Sequence, residues 1–182
     1  MKLILPLLKL ALYLQLNYKT NLHMKNISFL LFIALMAFSS INLSAQSFTD
    51  WDWDTYGVKF SAPSTFKVQT NNADEFTAKL SNDLLHLSII PWKDASLTKA
   101  TLKKSVKDLC KEMGFSAAET GTIHDLELNG FQGCYAMITK DGVSMIIEGL
   151  LDPASPTNFY TIIVYGPGYE DKAIQMANSF SK

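Results

Sequence analysis

After residue 47 the apolar positions fall into two rhythms. Over residues 48–56 they alternate, with Trp51 and Trp53 on one side and Asp50, Asp52 and Asp54 on the other. Period two predicts a half-buried strand or an extended lead-in. Short strands are expected over 58–61 and 66–70, separated by Ala62-Pro63-Ser64, with a turn over 71–74. Residues 76–80 and 84–90 flank Ser81-Asn82-Asp83 and read as a hairpin. Pro91, which has no N–H to donate to a ladder, is expected to end the second of these strands.

The rhythm then changes. Between about 98 and 113, Leu102, Val106, Leu109, Cys110 and Met113 recur at helical spacing, with Lys103, Lys104, Lys107, Asp108, Lys111 and Glu112 on the other face. Gly114 stops this helix. Strands are expected over 122–128, 131–139 and 143–151, punctuated by Asn129-Gly130 and Asp141-Gly142, and a further strand over 159–165. A last helix, over about 169–180, carries Ala173, Met176, Ala177 and Phe180 on one face, with Glu170 and Asp171 suited to its N-terminal dipole. Strands joined by two-residue turns must be antiparallel. The order strands, helix, meander, helix therefore predicts an α+β layered domain.

The first 45 residues follow a different pattern. From Met24 the chain reads as a signal peptide over 24–45: Lys25, an apolar run over 27–38, then a more polar stretch ending at Ala45. Twelve apolar residues are too few for a bilayer span of about 20. A retained anchor is the other reading. Residues 1–23, interrupted by Pro6 and Lys9, are read as a mis-called start or a leader extension. Residues 46–182 are then one domain, exported to the periplasm or outside the cell.

Composition narrows the function classes. Residues 1–45 hold four of the sixteen basic residues and no acidic one, so twelve lysines face all seventeen Asp and Glu in the remainder, a balance of −5. A polybasic nucleic-acid binder is excluded, since phosphate neutralisation needs clustered positive charge. The chain contains no Arg, which removes the bidentate clamp for phosphate or carboxylate.

Several segments carry a resemblance. They are the entry Tyr56-Gly57-Val58-Lys59-Phe60-Ser61-Ala62-Pro63-Ser64-Thr65-Phe66-Lys67-Val68, the turn Leu128-Asn129-Gly130-Phe131-Gln132-Gly133, and the closing helix with Ala173, Ala177, Ser179 and Phe180. Together they resemble the PsbP-like (Mog/PsbP) superfamily, which includes DcrB-like envelope proteins. The resemblance covers about residues 56–182. It implies an α-β-α sandwich around a twisted antiparallel sheet, and an accessory or partner-binding role with no shared catalytic set. A shared fold does not establish a shared function.

The candidate chemistry is sparse. Cys110 and Cys134 are the only thiols, and export makes a disulfide between them one reading. Two buried unpaired thiols is the other. A catalytic thiol would need an activating base or a helix N-terminus, and Cys110 sits near the opposite end of its helix. The spacing Asp50-x-Asp52-x-Asp54 invites a calcium reading, but Thr55 and Ser61 stand where an EF-hand loop needs Gly and Glu. His86 and His124 lie in expected strands without a second ligand at metal spacing. No Gly-x-Ser-x-Gly elbow occurs, and Gly166-Pro167-Gly168 lacks the Lys and Ser/Thr of a phosphate loop. Glu119, Asp125, Glu127 and Glu148 read as ordinary residues of exposed strand faces.

Trp51, Trp53, Tyr56 and Trp92 are candidates for a binding surface, because aromatic anchors are enriched there. Core packing is the alternative for each. The resulting expectation is a non-catalytic, exported module. It would bind a protein partner in the bacterial envelope, with no cofactor, no metal, no nucleic acid and no stable membrane span after cleavage. The competing expectation is a small enzyme or small-molecule binder using a cleft near Cys134, His86 or His124.

Overall fold

The computed structural model describes residues 47–94 and 96–182. The signal-peptide and start-site readings, over residues 1–45, lie outside them.

Among the described residues nine strands and three helices follow one another. β1 (Phe48–Trp53) and β2 (Val58–Pro63) form a separate two-stranded antiparallel sheet. β3 (Lys67–Asn71), β4 (Phe76–Lys79) and β5 (Leu85–Lys93) come next, then α1 (Lys99–Glu112) and the short α2 (Ala117–Thr120). β6 (His124–Leu128), β7 (Phe131–Lys140), β8 (Val143–Leu151), β9 (Thr157–Tyr165) and α3 (Glu170–Ala177) complete the domain. The main sheet has seven strands in the order β3-β4-β5-β9-β8-β7-β6, and every neighbouring pair is antiparallel. Helix α1 packs on β7 and β8, and α3 packs on β9, β8 and β2. The α+β class and the layered antiparallel sheet are therefore as the sequence predicts. Among the described residues no helix is long and apolar enough to cross a membrane.

The two faces of the sheet follow from its register. Phe159, Thr161, Ile163 and Tyr165 of β9 share one face with Ile146, Glu148 and Leu150 of β8 and with Leu85, Leu87 and Ile89 of β5. The β1–β2 hairpin and α3 cover this face with Trp53, Val58, Phe60, Ala173, Met176 and Phe180. On the other face α1 buries Leu102, Val106, Leu109 and Cys110. Every residue of β9, and all but the first two of β8, is buried, so these strands lack the alternation of a one-sided strand.

Local chemistry sets the ends of α1. The Thr98 hydroxyl accepts from the Thr101 N–H while the Thr101 hydroxyl accepts from the Thr98 N–H, a reciprocal N-cap. Gly114, at φ +89°, takes the left-handed position past the end. Residues 115–121, unassigned in the sequence reading, contain α2. Ser116 accepts from the Glu119 N–H and the Glu119 carboxylate accepts from the Ser116 N–H at 2.7 Å.

Pro91 does not end its strand, contrary to expectation, because β5 continues to Lys93. The ladder with β4 stops at Phe76↔Ile89, whereas that with β9 runs on through Pro91↔Phe159 to Lys93↔Thr157. Beyond Ile89, β5 is an edge on its β4 side, and a proline is tolerated where no neighbour needs its N–H.

The approach of α1 depends on Gly149. A Cβ there would lie 2.9 Å from Leu102 Cδ1 and 2.9 Å from Val106 Cγ2. Ordinary carbon contacts begin near 3.5 Å, so any side chain at 149 pushes against the helix. Gly149→Ala is expected to lower unfolding stability by about 1–3 kcal/mol, the usual cost of overpacking a core. Urea unfolding of the variant checks this, and an unchanged midpoint would mean that α1 does not rest on this glycine.

Candidate functional site

The β1–β2 hairpin separates its side chains cleanly. Trp51 and Trp53 stand opposite Phe60 and Val58 on the inner side, and Asp50 and Asp52 stand opposite Ser61 and Lys59 on the outer side. The inner side builds an aromatic cluster. Trp51 stacks on Phe60 at 6.3 Å, and Trp53 meets Tyr56 at 4.8 Å and Phe159 at 6.2 Å. Trp53 is completely buried, so it offers no binding surface and belongs to the core. Tyr56 is half-buried and its hydroxyl donates to the Ala73 carbonyl at 2.7 Å, fixing the β3–β4 turn beside the hairpin turn. Trp92 lies on the opposite face of the main sheet, 4.8 Å from the Tyr160 ring, whose hydroxyl is 2.5 Å from that of Ser105 on α1. The four aromatic candidates therefore do not form one surface; only Trp51 of the hairpin pair retains partial exposure.

The outer side of the hairpin forms an open groove of about 370 Å³. Residues of both strands line it, Asp50, Asp52, Lys59 and Ser61 among them, with Ser179 and Ser181 of the C-terminal segment. Backbone pairing holds that segment in place. The Lys59 N–H donates to the Ser181 carbonyl at 2.9 Å and the Ser181 N–H donates back at 2.8 Å. The Ser61 N–H donates to Ser179 Oγ at 2.8 Å, and the Ser61 hydroxyl donates to Asp50 Oδ1 at 2.8 Å.

The same bonds establish which way β1 points its backbone. Lys59 and Ser61 turn their backbone groups away from β1, so their partners Asp52 and Asp50 turn theirs away from β2, by the alternation of an antiparallel ladder. Phe48 shares that direction. β1 thus offers a strand edge unpaired among the described residues, a template for another extended chain.

The residues of the alternative reading lie apart. Cys134 is buried on the α1 face of β7. His124 is exposed on the opposite face at the sheet edge, stacked on Tyr135 at 5.2 Å. His86 is on β5, near Asp83 of the β4–β5 turn. Burial holds its imidazolium below the usual range, against the opposing pull of Asp83. The three do not share one face of the sheet: Cys134 and His86 lie on the α1 side and His124 on the other. Among the described residues no three His, Cys, Asp or Glu side chains gather as a metal set, and Asp50 is engaged by Ser61.

Both thiols are buried and unbridged. Burial pushes the Cys134 thiol up to about 12 and raises that of Cys110, so neither is a thiolate at neutral pH.

Sequence reasoning missed Glu148. It is not on an exposed face but 1% exposed in the centre of β8, and its carboxylate accepts from the Thr161 hydroxyl. Burial raises its carboxyl to about 8. The available signal was a single charged residue inside the run Met145-Ile146-Ile147-Glu148-Gly149-Leu150-Leu151.

With this geometry in hand, comparison with known proteins adds little. No protein-family model matches the chain, and no curated protein matches it. Solved structures do. A protein from Bacteroides thetaiotaomicron matches with TM-score 0.44 and 11% identity over 74% of this chain, which spans about half, 48%, of that structure. The Saccharomyces cerevisiae Ran-binding protein Mog1p matches with TM-score 0.46 and 10% identity, over 75% of this chain and 95% of that one. A point mutant of protein Mog1 gives 0.45 and 10%, over 74% and 95%. At this level of similarity no residue role and no partner passes from those proteins to this chain.

Two predictions follow from the buried groups. Iodoacetamide at pH 7.5 should leave Cys110 and Cys134 of the native protein unmodified, and both should react in denaturant without reductant. Modification of both only after reduction would establish a disulfide instead. For Glu148 the folded value lies above the unfolded one near 4.5, so the native state holds a proton the unfolded chain has released. Its contribution is full below about pH 4.5 and is lost as pH rises towards 8. Glu148→Gln should match the wild type in stability at pH 4 and exceed it by on the order of a few kcal/mol at pH 8. Denaturant unfolding at the two pH values checks the sign.

Proposed function

We propose that this chain is an exported, non-catalytic module that binds a protein partner in the bacterial envelope through the outer side of the β1–β2 hairpin. The observation that carries the reading is the groove of Asp50, Asp52, Lys59, Ser61, Ser179 and Ser181 beside the edge of β1, unpaired among the described residues. A free edge supplies main-chain hydrogen bonds to an extended partner, and side chains that alternate along it supply selectivity. The groove is open and polar, which suits a chain lying across it more than an enclosed small molecule. The dispersal of Cys134, His86 and His124 supports a role without chemistry, because a nucleophile needs a base within hydrogen-bond reach. Export rests on the pattern of residues 24–45.

The test places a photo-crosslinking residue at Lys59, which is exposed on the outer side of β2, in the full chain expressed in a bacterial host. Cross-linking is followed by fractionation and mass spectrometry. The expected result is a cleaved protein in the envelope fraction joined to one specific envelope protein. The cross-link should disappear in an Asp50→Lys, Asp52→Lys variant and persist when Cys134, His86 and His124 are replaced together. No specific adduct, or one indifferent to the Asp50 and Asp52 changes, would overturn the hairpin as the binding surface. An unprocessed chain in the cytoplasm would overturn export.

A further inference from the structure

Four residues stand directly opposite one another on the hairpin-covered face of four adjacent strands: His124 of β6, Tyr135 of β7, Glu148 of β8 and Thr161 of β9. Opposed side chains in an antiparallel sheet have Cβ atoms about 5 Å apart. The row therefore crosses the sheet as a continuous polar line in an otherwise apolar layer. It also runs from solvent to core. His124 is exposed, Tyr135 is half-buried, and Glu148 and Thr161 are buried.

Among the described residues nothing cationic meets Glu148 at the buried end. From β9 the facing group is the Thr161 hydroxyl, which donates to Glu148 Oε2; from β7 it is Tyr135. Along β8 the same-face neighbours are Ile146 and Leu150. Helix α3 buries Ala173, Met176 and Ala177 and carries Glu170, Asp171 and Lys172 in its first turn. The hairpin brings Trp53, Val58 and Phe60 to this core. Helix α1 lies behind the sheet, where Lys99 and Lys103 are paired with Glu127 and Asp125 of β6. Lys182, beyond the end of β8, is paired with Asp152 at 3.0 Å. Among the described residues the titratable group in line with Glu148 beyond Tyr135 is His124.

We infer that Glu148 is a proton-linked latch on the β6–β7 edge. With its proton, the carboxyl rests on Thr161 and the row is closed. Without it, the carboxylate draws water inward past Tyr135 and His124, and β6 with the adjoining part of β7 loosens. The proton passes to water, so no other reactant is required. The direction of opening follows from burial. On the other side of Glu148, β9 is buried throughout, whereas β6 is the outermost strand, five residues long, and Met137, two residues along β7 from Tyr135, is 41% exposed. A buried unpaired carboxylate is costly enough that local hydration is the cheaper response. The raised titration range of Glu148, near 8, would place the change within the span of ordinary physiological pH.

Amide hydrogen exchange of the purified protein at pH 5.5, 7.0 and 8.5, corrected for the intrinsic rate at each pH, tests this. Wild type should lose roughly tenfold or more protection in β6 and β7 across that range, as expected for a shift of more than one pH unit in a linked group. β4 and β5 should change little. Glu148→Gln should be flat, and His124→Ala should keep the wild-type response. A flat wild type, or a response identical in Glu148→Gln, would overturn the latch. So would a response lost in His124→Ala and kept in Glu148→Gln, which would make His124 the titrating group. Should Glu148→Gln fail to fold, the infrared carboxyl band of wild type labelled with ¹³C-glutamate is the second measurement. A protonated band persisting at pH 7 supports the latch, and complete ionisation of every glutamate by pH 5.5 overturns it.

Discussion

The burial of β8 and β9 on both faces is the constraint on which the rest of the domain depends. A sheet centre that is apolar on both sides needs two covers. Helix α1 supplies one, and its approach is close enough to require a bare backbone at Gly149. The other cover is composite: α3, the β1–β2 hairpin and the C-terminal Phe180 share one hydrophobic core. The hairpin is thus a lid on the sheet before it is anything else. Trp53, one of its two inward tryptophans, is fully buried for that reason. The same requirement leaves the hairpin's outer side free. Its inward residues are committed to the core, and its outward carboxylates and strand edge are left to face solvent.

One polar group interrupts this arrangement. Glu148 occupies a position where every neighbour along its strand is apolar, and its partner is a hydroxyl rather than a cation. Such a group is neutral in the fold at low pH and a burden at high pH. Its placement two strands from the β6 edge matters as much as its burial. The same residue beneath α1 would couple to the helix, whereas here it lies in line with half-buried Tyr135 and exposed His124. The pairs at the other end of the sheet, between β3, β4 and β5, do not include it.

Legibility followed the range of the interactions involved. The helix over 99–112 was readable because its periodicity, its N-terminal Thr98 and its Gly114 are all local. The turns at Asn129-Gly130 and Asp141-Gly142 set the β6–β7–β8 meander for the same reason, with Asp141, Gly130 and Gly142 all at positive φ. Pro91 was misjudged because its tolerance depends on β4 ending two residues earlier, a fact of pairing. The relative placement of Cys134, His86 and His124 was not legible, because strand parity places residues on a face, while strand order decides which faces and ends adjoin. The outer hairpin groove was half legible: the alternation of Trp and Asp was plain, but Ser179 and Ser181 join it from more than a hundred residues away.

The sequence by itself determined the element types, the antiparallel meander, the α+β class and the side of β1 that carries its carboxylates. Each of these is fixed by side-chain period, turn residues and caps within a few positions along the chain. Only the tertiary structure decided that β9 inserts between β5 and β8, that the hairpin closes over the sheet, and that Glu148 faces the core rather than water. Those outcomes turn on which distant surfaces bury one another. Burial is a property of the assembled layers, and a period of two looks the same on either side of a strand until both sides have been covered.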